Sequence, residues 1–181
     1  LKTKFHALDF ETRYFPGTKT GGILYAKPRK RNKNKSLQLL IGHIDTVWPL
    51  GSINSMLPEI DIKKFKGPGV FDMKSGLLNI IYALKAINYL KINLALCPII
   101  IINSDEEIGS FESTPIIKRL SKIASRAFVL EPSLDGKLKT SRSGVGKYTI
   151  TLKGKAAHAG LNPDQGASAI VELSHVIQKL F

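Results

Sequence analysis

Two apolar patterns alternate along the first 130 residues: short continuous runs, and stretches with apolar positions three and four residues apart. The run Pro98–Ile102 contains four consecutive isoleucines. A β-branched run of this kind is typical of a strand that is covered on both faces of a sheet. Leu37–Gly42 and Ala127–Leu130 are further continuous runs, and they predict two more buried strands.

Helical patterns separate these strands. Apolar residues follow helical spacing from Leu77 to Ile87. Ser113-Thr114-Pro115 combines capping residues with a proline, which predicts the start of a helix that runs to about Arg126. Because strands that alternate with helices form parallel pairs, the sequence predicts an α/β fold with a mostly parallel sheet flanked by helices.

The two ends of the chain show different patterns. Near the N-terminus, Phe5–Phe10 and Gly22–Ala26 predict short strands on either side of a loop at Arg13–Gly17. Later, Val145–Lys153 alternates like a half-exposed strand, and Ala167–Leu180 has the spacing of an amphipathic helix. The change of pattern near Ser141 divides the chain into residues 1–140 and 141–181.

Acidic side chains and one histidine follow the predicted strands. The residues at these positions are His43, Asp45, Asp105, Glu106, Glu107 and Glu131, and Asp72 lies where a glycine-rich loop enters a helix. The carboxyl ends of parallel strands meet at one edge of a sheet, so these groups should converge. A divalent ion would relieve the repulsion between the carboxylates, and mixed nitrogen and oxygen ligands favour zinc, with cobalt or manganese as alternatives. For Asp105–Glu107 taken alone, a solvated acidic turn is the alternative.

The chain is strongly basic, with a formal net charge of +13 and 27 lysines and arginines. Six of these basic residues lie in Lys27–Lys35, and such a segment can contact the phosphates of nucleic acid. We favour a solvated hairpin loop, because no aromatic platform or nucleic-acid motif accompanies the segment. Nucleic acid is therefore not an expected partner.

Composition places the chain among soluble globular proteins, with 43% hydrophobic and 8% aromatic residues. No apolar run approaches the length of a membrane span. The single cysteine, Cys97, excludes an internal disulfide and is expected to be a buried thiol. No targeting segment is recognisable, so we expect a cytoplasmic protein. Because the chain starts at Leu1 and not at Met, a missing N-terminal piece and a periplasmic location stay open.

Several segments resemble, in order and spacing, the motifs of the co-catalytic zinc peptidases of family M20. These segments are Gly42–Val47, Gly67–Gly76, Ser104–Ser110, Leu130–Pro132, Arg142–Gly146 and Gly154–Gly160, so the resemblance covers nearly the whole chain. The family includes glutamate carboxypeptidases, acetylornithine deacetylase, succinyl-diaminopimelate desuccinylase and aminoacylases. The Gly-Pro-Gly and Asp-Met-Lys details are most similar to the glutamate carboxypeptidase branch.

The resemblance implies a site for two zinc ions. His43, Asp72 and Glu131 would hold one ion, and Asp72 would bridge to a second ion that Glu107 also binds. The family's second ion takes a further histidine from late in a much longer chain, so we expect these 181 residues to be a fragment. The resemblance also implies a cis peptide bond between Asp72 and Met73.

Three further residues are implied to be catalytic. Glu106 would be the general base that activates a metal-bridged water, and Asp45 would orient His43. His158 would reach from a second domain into the partner subunit's site and stabilise the oxyanion. From the sequence alone, His158 could equally be a plain turn residue, and His175 is interpreted as a surface or edge histidine.

The implied function is zinc-dependent hydrolysis of amide or peptide bonds, of the carboxypeptidase or N-acyl-amino-acid deacylase type. The substrate would be a small peptide or an N-acyl amino acid. Residues 1–140 would be an incomplete catalytic domain, and residues 141–181 the start of a small α+β lid that also forms a homodimer. Two alternatives remain: a catalytically inactive metal-binding remnant, and a nucleic-acid-binding module built on the basic loop.

Overall fold

The isoleucine run lies at the centre of a five-stranded sheet in the computed structural model, which describes residues 1–180. Two units are present, Leu1–Leu138 and a second that begins at Lys139. The first contains α1 (Lys2–His6), β1 (Phe10–Phe15), β2 (Ile23–Pro28), β3 (Leu37–His43), β4 (Glu59–Ile60), β5 (Phe65–Lys66), an irregular helical segment (Val70–Lys74), α2 (Ser75–Tyr89), β6 (Cys97–Asn103), α3 (Thr114–Ser121) and β7 (Ala124–Val129). In the second unit, a short 3₁₀ turn (Pro163–Gln165) precedes α4 (Ala169–Leu180).

The strand order of the main sheet is β1-β2-β6-β3-β7. Strand β3 is parallel to both β6 and β7, whereas β2 is antiparallel to both β1 and β6. Four of the five strands therefore run in the same direction, and β2 is the exception. This arrangement confirms the predicted α/β fold with a mostly parallel sheet.

The side chains of β6 alternate between the two faces of the sheet. Ile100 and Ile102 pack with α2, whereas Ile99 and Ile101 pack with α3. All four isoleucines are at most 3% exposed, which confirms the prediction of a strand covered on both faces. Burial of each side chain contributes roughly 1.5–3 kcal/mol to the free energy of folding. Strand β6 is therefore held stably in the core, and it positions the residues that follow it.

Two predictions near the N-terminus are wrong. The predicted strand Phe5–Phe10 begins inside helix α1 and reaches a strand only at Phe10, and most of the predicted loop at Arg13–Gly17 belongs to strand β1. Phe5 is fully buried, and its ring lies 6.2 Å from that of Phe10. The two rings meet because the chain turns between them, an arrangement that the short apolar pattern does not distinguish from a strand.

The boundary between α3 and β7 also differs from the prediction. Helix α3 ends at Ser121 and not near Arg126, and β7 begins earlier than predicted, at Ala124. The prediction that this strand is buried is wrong, because its residues from Ser125 to Val129 are exposed. Within residues 1–180, strand β7 is at the edge of the sheet and has a neighbour on one side only, and the order of strands cannot be read from a local apolar run.

In the second unit, the predicted amphipathic helix is present as α4. The predicted strand at Val145–Lys153 is wrong, because no segment within residues 1–180 pairs with it, and Val145 and Tyr148 are each 92% exposed. An alternating sequence forms a strand only where a neighbouring strand satisfies its backbone hydrogen bonds. Within residues 1–180, no helix is long and apolar enough to span a membrane.

The side chain of Glu112 connects the loop after β6 to the loop between β1 and β2. Its carboxylate accepts hydrogen bonds from the hydroxyl groups of Thr18 and Thr20 and from the backbone N–H groups of Thr18 and Lys19. These hydrogen bonds lower the pKa of Glu112 from 4.5 to about 2, and the bond from the Thr18 hydroxyl is the largest cause. The ionised carboxylate therefore stabilises the contact between the two loops.

We expect Glu112→Gln to lower the melting temperature at neutral pH. A depressed pKa in the folded state stabilises the protein above pH 4.5, and this contribution is lost as the pH falls toward about 2. The difference in melting temperature between variant and wild type should therefore shrink over that range, which thermal unfolding followed by circular dichroism measures. Glu172→Gln, on the exposed surface of α4, is the control. A difference that is the same at every pH would contradict this role for Glu112.

Candidate metal centre

The carboxyl ends of β3, β6 and β7 meet at one edge of the sheet. His43 is the last residue of β3 and pairs in register with Asn103, the last residue of β6. Ile41 of β3 pairs with Val129, the last residue of β7, so Glu131 lies just beyond the same edge. The parallel register thus produces the convergence that the sequence predicts.

The imidazole ring of His43 is the centre of the cluster. The residue is 1% exposed, and its Nδ1 lies 3.1 Å from the backbone carbonyl oxygen and 3.4 Å from Oδ1 of Asp45. Oδ2 of Asp45 accepts a hydrogen bond from the backbone N–H of Glu107 at 2.9 Å. A proton on Nδ1 is therefore directed at Asp45, which leaves the lone pair of Nε2 for a ligand on the other side of the ring.

Carboxylates surround Nε2 of His43. The nearest oxygens are Oδ1 of Asp72 at 3.1 Å, Oε1 of Glu131 at 3.2 Å and Oε2 of Glu106 at 3.9 Å. Potential ligand atoms within 4.8 Å of one another form two groups: His43, Glu106 and Glu131 in one, and His43, Asp72 and Glu107 in the other. The structure thus brings together the four predicted metal ligands and the predicted general base.

The electrostatics of the cluster favour a cation. Burial and then the charge of Asp72 raise the pKa of Glu107, and the same two causes, in the same order, raise the pKa of Glu131. Burial acts to lower the pKa of His43, but the charges of Glu131 and Asp45 outweigh it and raise that pKa. Within residues 1–180, no lysine or arginine forms an ion pair with these carboxylates. A bound divalent ion would relieve the repulsion.

The distances also fit zinc. Two ligand atoms that are each about 2.0–2.2 Å from a tetrahedral zinc ion lie roughly 3.3–3.6 Å from one another. Nε2 of His43 is 3.1 Å from Asp72 and 3.2 Å from Glu131, close to that separation before any ion draws the groups into place. One imidazole with carboxylates is a common donor set for zinc, and cobalt and manganese accept the same donors.

Asp105, the first of the three consecutive acids, has a different role from its neighbours. It is 1% exposed, its Oδ2 accepts the backbone N–H groups of Glu112 and Ser113 at 2.8 and 2.9 Å, and its Oδ1 accepts Nδ2 of Asn103 at 2.9 Å. Burial acts to raise the pKa of Asp105, but these hydrogen bonds outweigh it and lower the pKa. The carboxylate of Asp105 thus connects the two ends of the loop that carries Glu106 and Glu107. The predicted helix start at Ser113 was the available signal, because N–H groups at a helix start need acceptors.

Two residues beneath the site have packing roles that the sequence did not predict. Met73 is 1% exposed, and its sulfur accepts a hydrogen bond from the backbone N–H of His43 at 3.3 Å. Gly76 packs so closely that a side chain there would overlap the carbonyl oxygen of Leu130, next to a predicted ligand. The peptide bond between Asp72 and Met73 is cis, as the resemblance implied.

His158 belongs to the second unit and is exposed. Its Nδ1 accepts the backbone N–H of Gly160 at 3.1 Å, and its own backbone N–H donates to Oδ1 of Asn162 at 3.0 Å. In the neutral ring, the proton is therefore on Nε2, which leaves an N–H donor free toward solvent. The catalytic role implied for His158 stays a prediction. His175 is exposed on α4, as expected for a surface residue.

We expect Asp105→Asn to weaken zinc binding about 10–100-fold, as loss of a residue that positions metal ligands typically does. The amide would present N–H groups to donors, so the loop with Glu106 and Glu107 would lose its fixed shape. Zinc titration calorimetry and thermal unfolding, with the exposed Asp135→Asn as the control, measure the effect. Lower stability with unchanged zinc affinity would show that Asp105 supports the fold without positioning the site.

A mostly parallel sheet with a buried histidine and four carboxylates at its carboxyl edge defines an α/β protein with a candidate divalent-metal centre. Residues 39–179 match the family described as Peptidase family M20/M25/M40, and the chain belongs to this family. Over 141 residues, the chain is 33% identical to carboxypeptidase G2 from Pseudomonas sp. (strain RS-16). That match covers 77% of this chain and 34% of the relative.

Solved structures support the same fold. Aminopeptidase PepT from Bacillus cereus has a TM-score of 0.69 at 23% identity, with 98% of this chain and 49% of that chain covered. A tripeptidase from Staphylococcus aureus also has a TM-score of 0.69, at 19% identity, with 98% and 48% covered. An M20 family metallo-carboxypeptidase from Sulfolobus solfataricus has a TM-score of 0.54 at 23% identity, with 71% and 30% covered. The chain spans half or less of the length of each of these relatives.

Proposed function

We propose that the complete protein hydrolyses amide or peptide bonds with zinc, as a carboxypeptidase or an N-acyl-amino-acid deacylase. The convergence of Asp72, Glu106, Glu107 and Glu131 around the imidazole of the buried His43 is the observation that carries this proposal. Membership of peptidase family M20/M25/M40 supports it, and so does the 33% identity to a protein named carboxypeptidase G2.

His43, Asp72 and Glu131 would hold one zinc ion, and Asp72 and Glu107 would contribute to a second. This assignment of ligands to two ions agrees with the distances of about 3 Å from Nε2 of His43 to Asp72 and to Glu131. It also agrees with the group of potential ligand atoms that contains both Asp72 and Glu107. Bound zinc would make a water more acidic and polarise the carbonyl of the scissile bond. Asp45 keeps the ring of His43 in the tautomer that ligation requires.

Glu106 is the residue best placed to move protons. Its carboxylate lies 3.9 Å from Nε2 of His43, farther than those of Asp72 and Glu131, and its side chain is 48% exposed. A carboxylate oxygen at this position can accept a proton from water and later deliver it to the nitrogen of the departing amine. His158, with Nε2–H free to donate, would stabilise the oxyanion in the dimer that the family resemblance implies.

The test uses the protein encoded by the complete gene. Zinc-loaded enzyme should release glutamate from N-acyl-glutamate or from a peptide with a C-terminal glutamate, and a chelator should abolish this release. Restoration by added zinc, cobalt or manganese would show that the activity depends on the metal. Robust metal binding without hydrolysis of either substrate class would contradict the proposal and favour a metal-binding protein without turnover.

A further inference from the structure

The end of the sheet opposite the metal cluster carries a cavity lined by cations. Arg31, Lys33 and Lys35 reach it from the loop before β3, and Lys122 reaches it from the turn between α3 and β7. The cavity, here called the basic cavity, has a volume of about 510 Å³. It lies where β3 and β7 begin, whereas the metal cluster lies where they end.

The positive charge of the basic cavity is uncompensated. Within residues 1–180, none of its four cations forms an ion pair, although Lys27 and Arg29, in or next to the same loop, pair with Glu11 and Asp9. The two segments that line the cavity, residues 31–37 and 122–125, contain three and one basic residues and no acid. Cations that line one cavity repel one another, and a bound anion would offset that repulsion.

One of the cations is held in place by neutral groups. Nζ of Lys35 donates to Oδ1 of Asn93 at 2.6 Å and to the carbonyl oxygen of Leu94. Two of its three N–H donors are thus used without neutralising its charge, and the third remains for a ligand. Ser36 adds a hydroxyl group to the lining, so the cavity offers charged and neutral donors together, whereas the hydroxyl of Ser125 donates to the carbonyl oxygen of Leu37.

The lining indicates what kind of anion fits. Arginine and lysine recognise phosphate groups, and several cations around one space favour a ligand with more than one negative charge. The volume is within the range of small-molecule sites, and within residues 1–180 no aromatic side chain lines the cavity to stack on a nucleic-acid base. We propose that the basic cavity binds a small ligand that carries two or more phosphate groups.

Inorganic tripolyphosphate tests this site. It is titrated calorimetrically into the full 181-residue chain after metal removal, so that it cannot bind through zinc. The salt concentration is about 0.1 M, where exposed charges more than about 10 Å apart are largely screened. We expect one tripolyphosphate per chain, and at least about tenfold weaker binding by the double variant Arg31→Gln, Lys122→Gln.

The matched control is Lys63→Gln, Lys64→Gln, in the turn between β4 and β5, which removes the same charge from an exposed position. It should bind tripolyphosphate like wild type. An equal loss in both double variants, or no binding by wild type, would overturn the proposal. A single-stranded oligonucleotide is titrated in parallel. Oligonucleotide binding that depends on Arg31 and Lys122, without tripolyphosphate binding, would overturn the small-ligand assignment in favour of nucleic acid.

Discussion

Replacing His43 with alanine is expected to abolish tight zinc binding by the chain. Both groups of possible ligands contain this residue, and its ring is the one nitrogen donor in them. Without it, the ion would depend on carboxylates that the loops alone hold in place, so we expect the affinity to fall more than about 100-fold. Competition with a chromophoric zinc chelator measures the change.

Two further variants make this result specific. His175→Ala removes an exposed histidine on α4 and should leave zinc affinity unchanged. His43→Gln keeps a polar side chain at the buried position, and circular dichroism checks that it folds, so that a loss of zinc binding is separated from unfolding. Wild-type affinity in a folded His43→Gln variant would contradict a metal centre at this edge of the sheet.

Glu106→Gln in the complete protein should lower kcat by about 10²–10⁴-fold while zinc content stays unchanged. The glutamine keeps the size of the side chain but cannot accept the proton of the attacking water. The comparison of kcat with KM is informative, because a residue that only shapes the pocket would raise KM as well. The zinc content of the same samples, measured by atomic emission, distinguishes the loss of the general base from the loss of the metal.

Glu107→Gln is the matched control for Glu106→Gln. It changes the next residue in the same way, but on a side chain grouped with His43 and Asp72, so it should reduce zinc occupancy before it reduces turnover per bound ion. The opposite pattern, with zinc lost in Glu106→Gln and retained in Glu107→Gln, would exchange the roles of the two glutamates. The comparison is needed because Glu106 also belongs to a group of possible metal ligands, with His43 and Glu131.

The central part of the fold was predictable because local sequence and tertiary position agree there. Four consecutive isoleucines have no polar face, so Ile99–Ile102 had to be covered on both sides, and both helical layers are present. Strand β7 has a similar apolar run at Ala127–Leu130, yet it lies at the edge of the sheet. Strand order depends on contacts between distant segments, which a local pattern does not contain.

The second unit also shows that a local sequence pattern alone does not establish a strand. Val145–Lys153 alternates correctly for a strand, but strand formation requires a partner, and no segment within residues 1–180 pairs with it. The amphipathic helix from Ala169 formed as expected, because a helix satisfies most of its hydrogen bonds within itself. A helix is therefore easier to predict from a local sequence pattern than a strand is.

At the candidate site, the meeting of His43, Glu107 and Glu131 follows from the parallel register of β3, β6 and β7. The separate role of Asp105 was not predictable from the acidic run, because three adjacent carboxylates are equivalent until the backbone directs them. The contact of the Met73 sulfur with His43 was likewise not predicted, since a methionine between a ligand and a helix is indistinguishable in sequence from ordinary core.

Anomalous diffraction at the zinc edge, from crystals of the zinc-loaded chain, tests the metal centre most directly. We expect a peak about 2.0–2.2 Å from Nε2 of His43 and from carboxylate oxygens of Asp72 and Glu131. A second peak, where present, should lie roughly 3.5–4 Å away on the side of Glu107. Zinc bound at His158 or His175, with none at His43, would contradict the account.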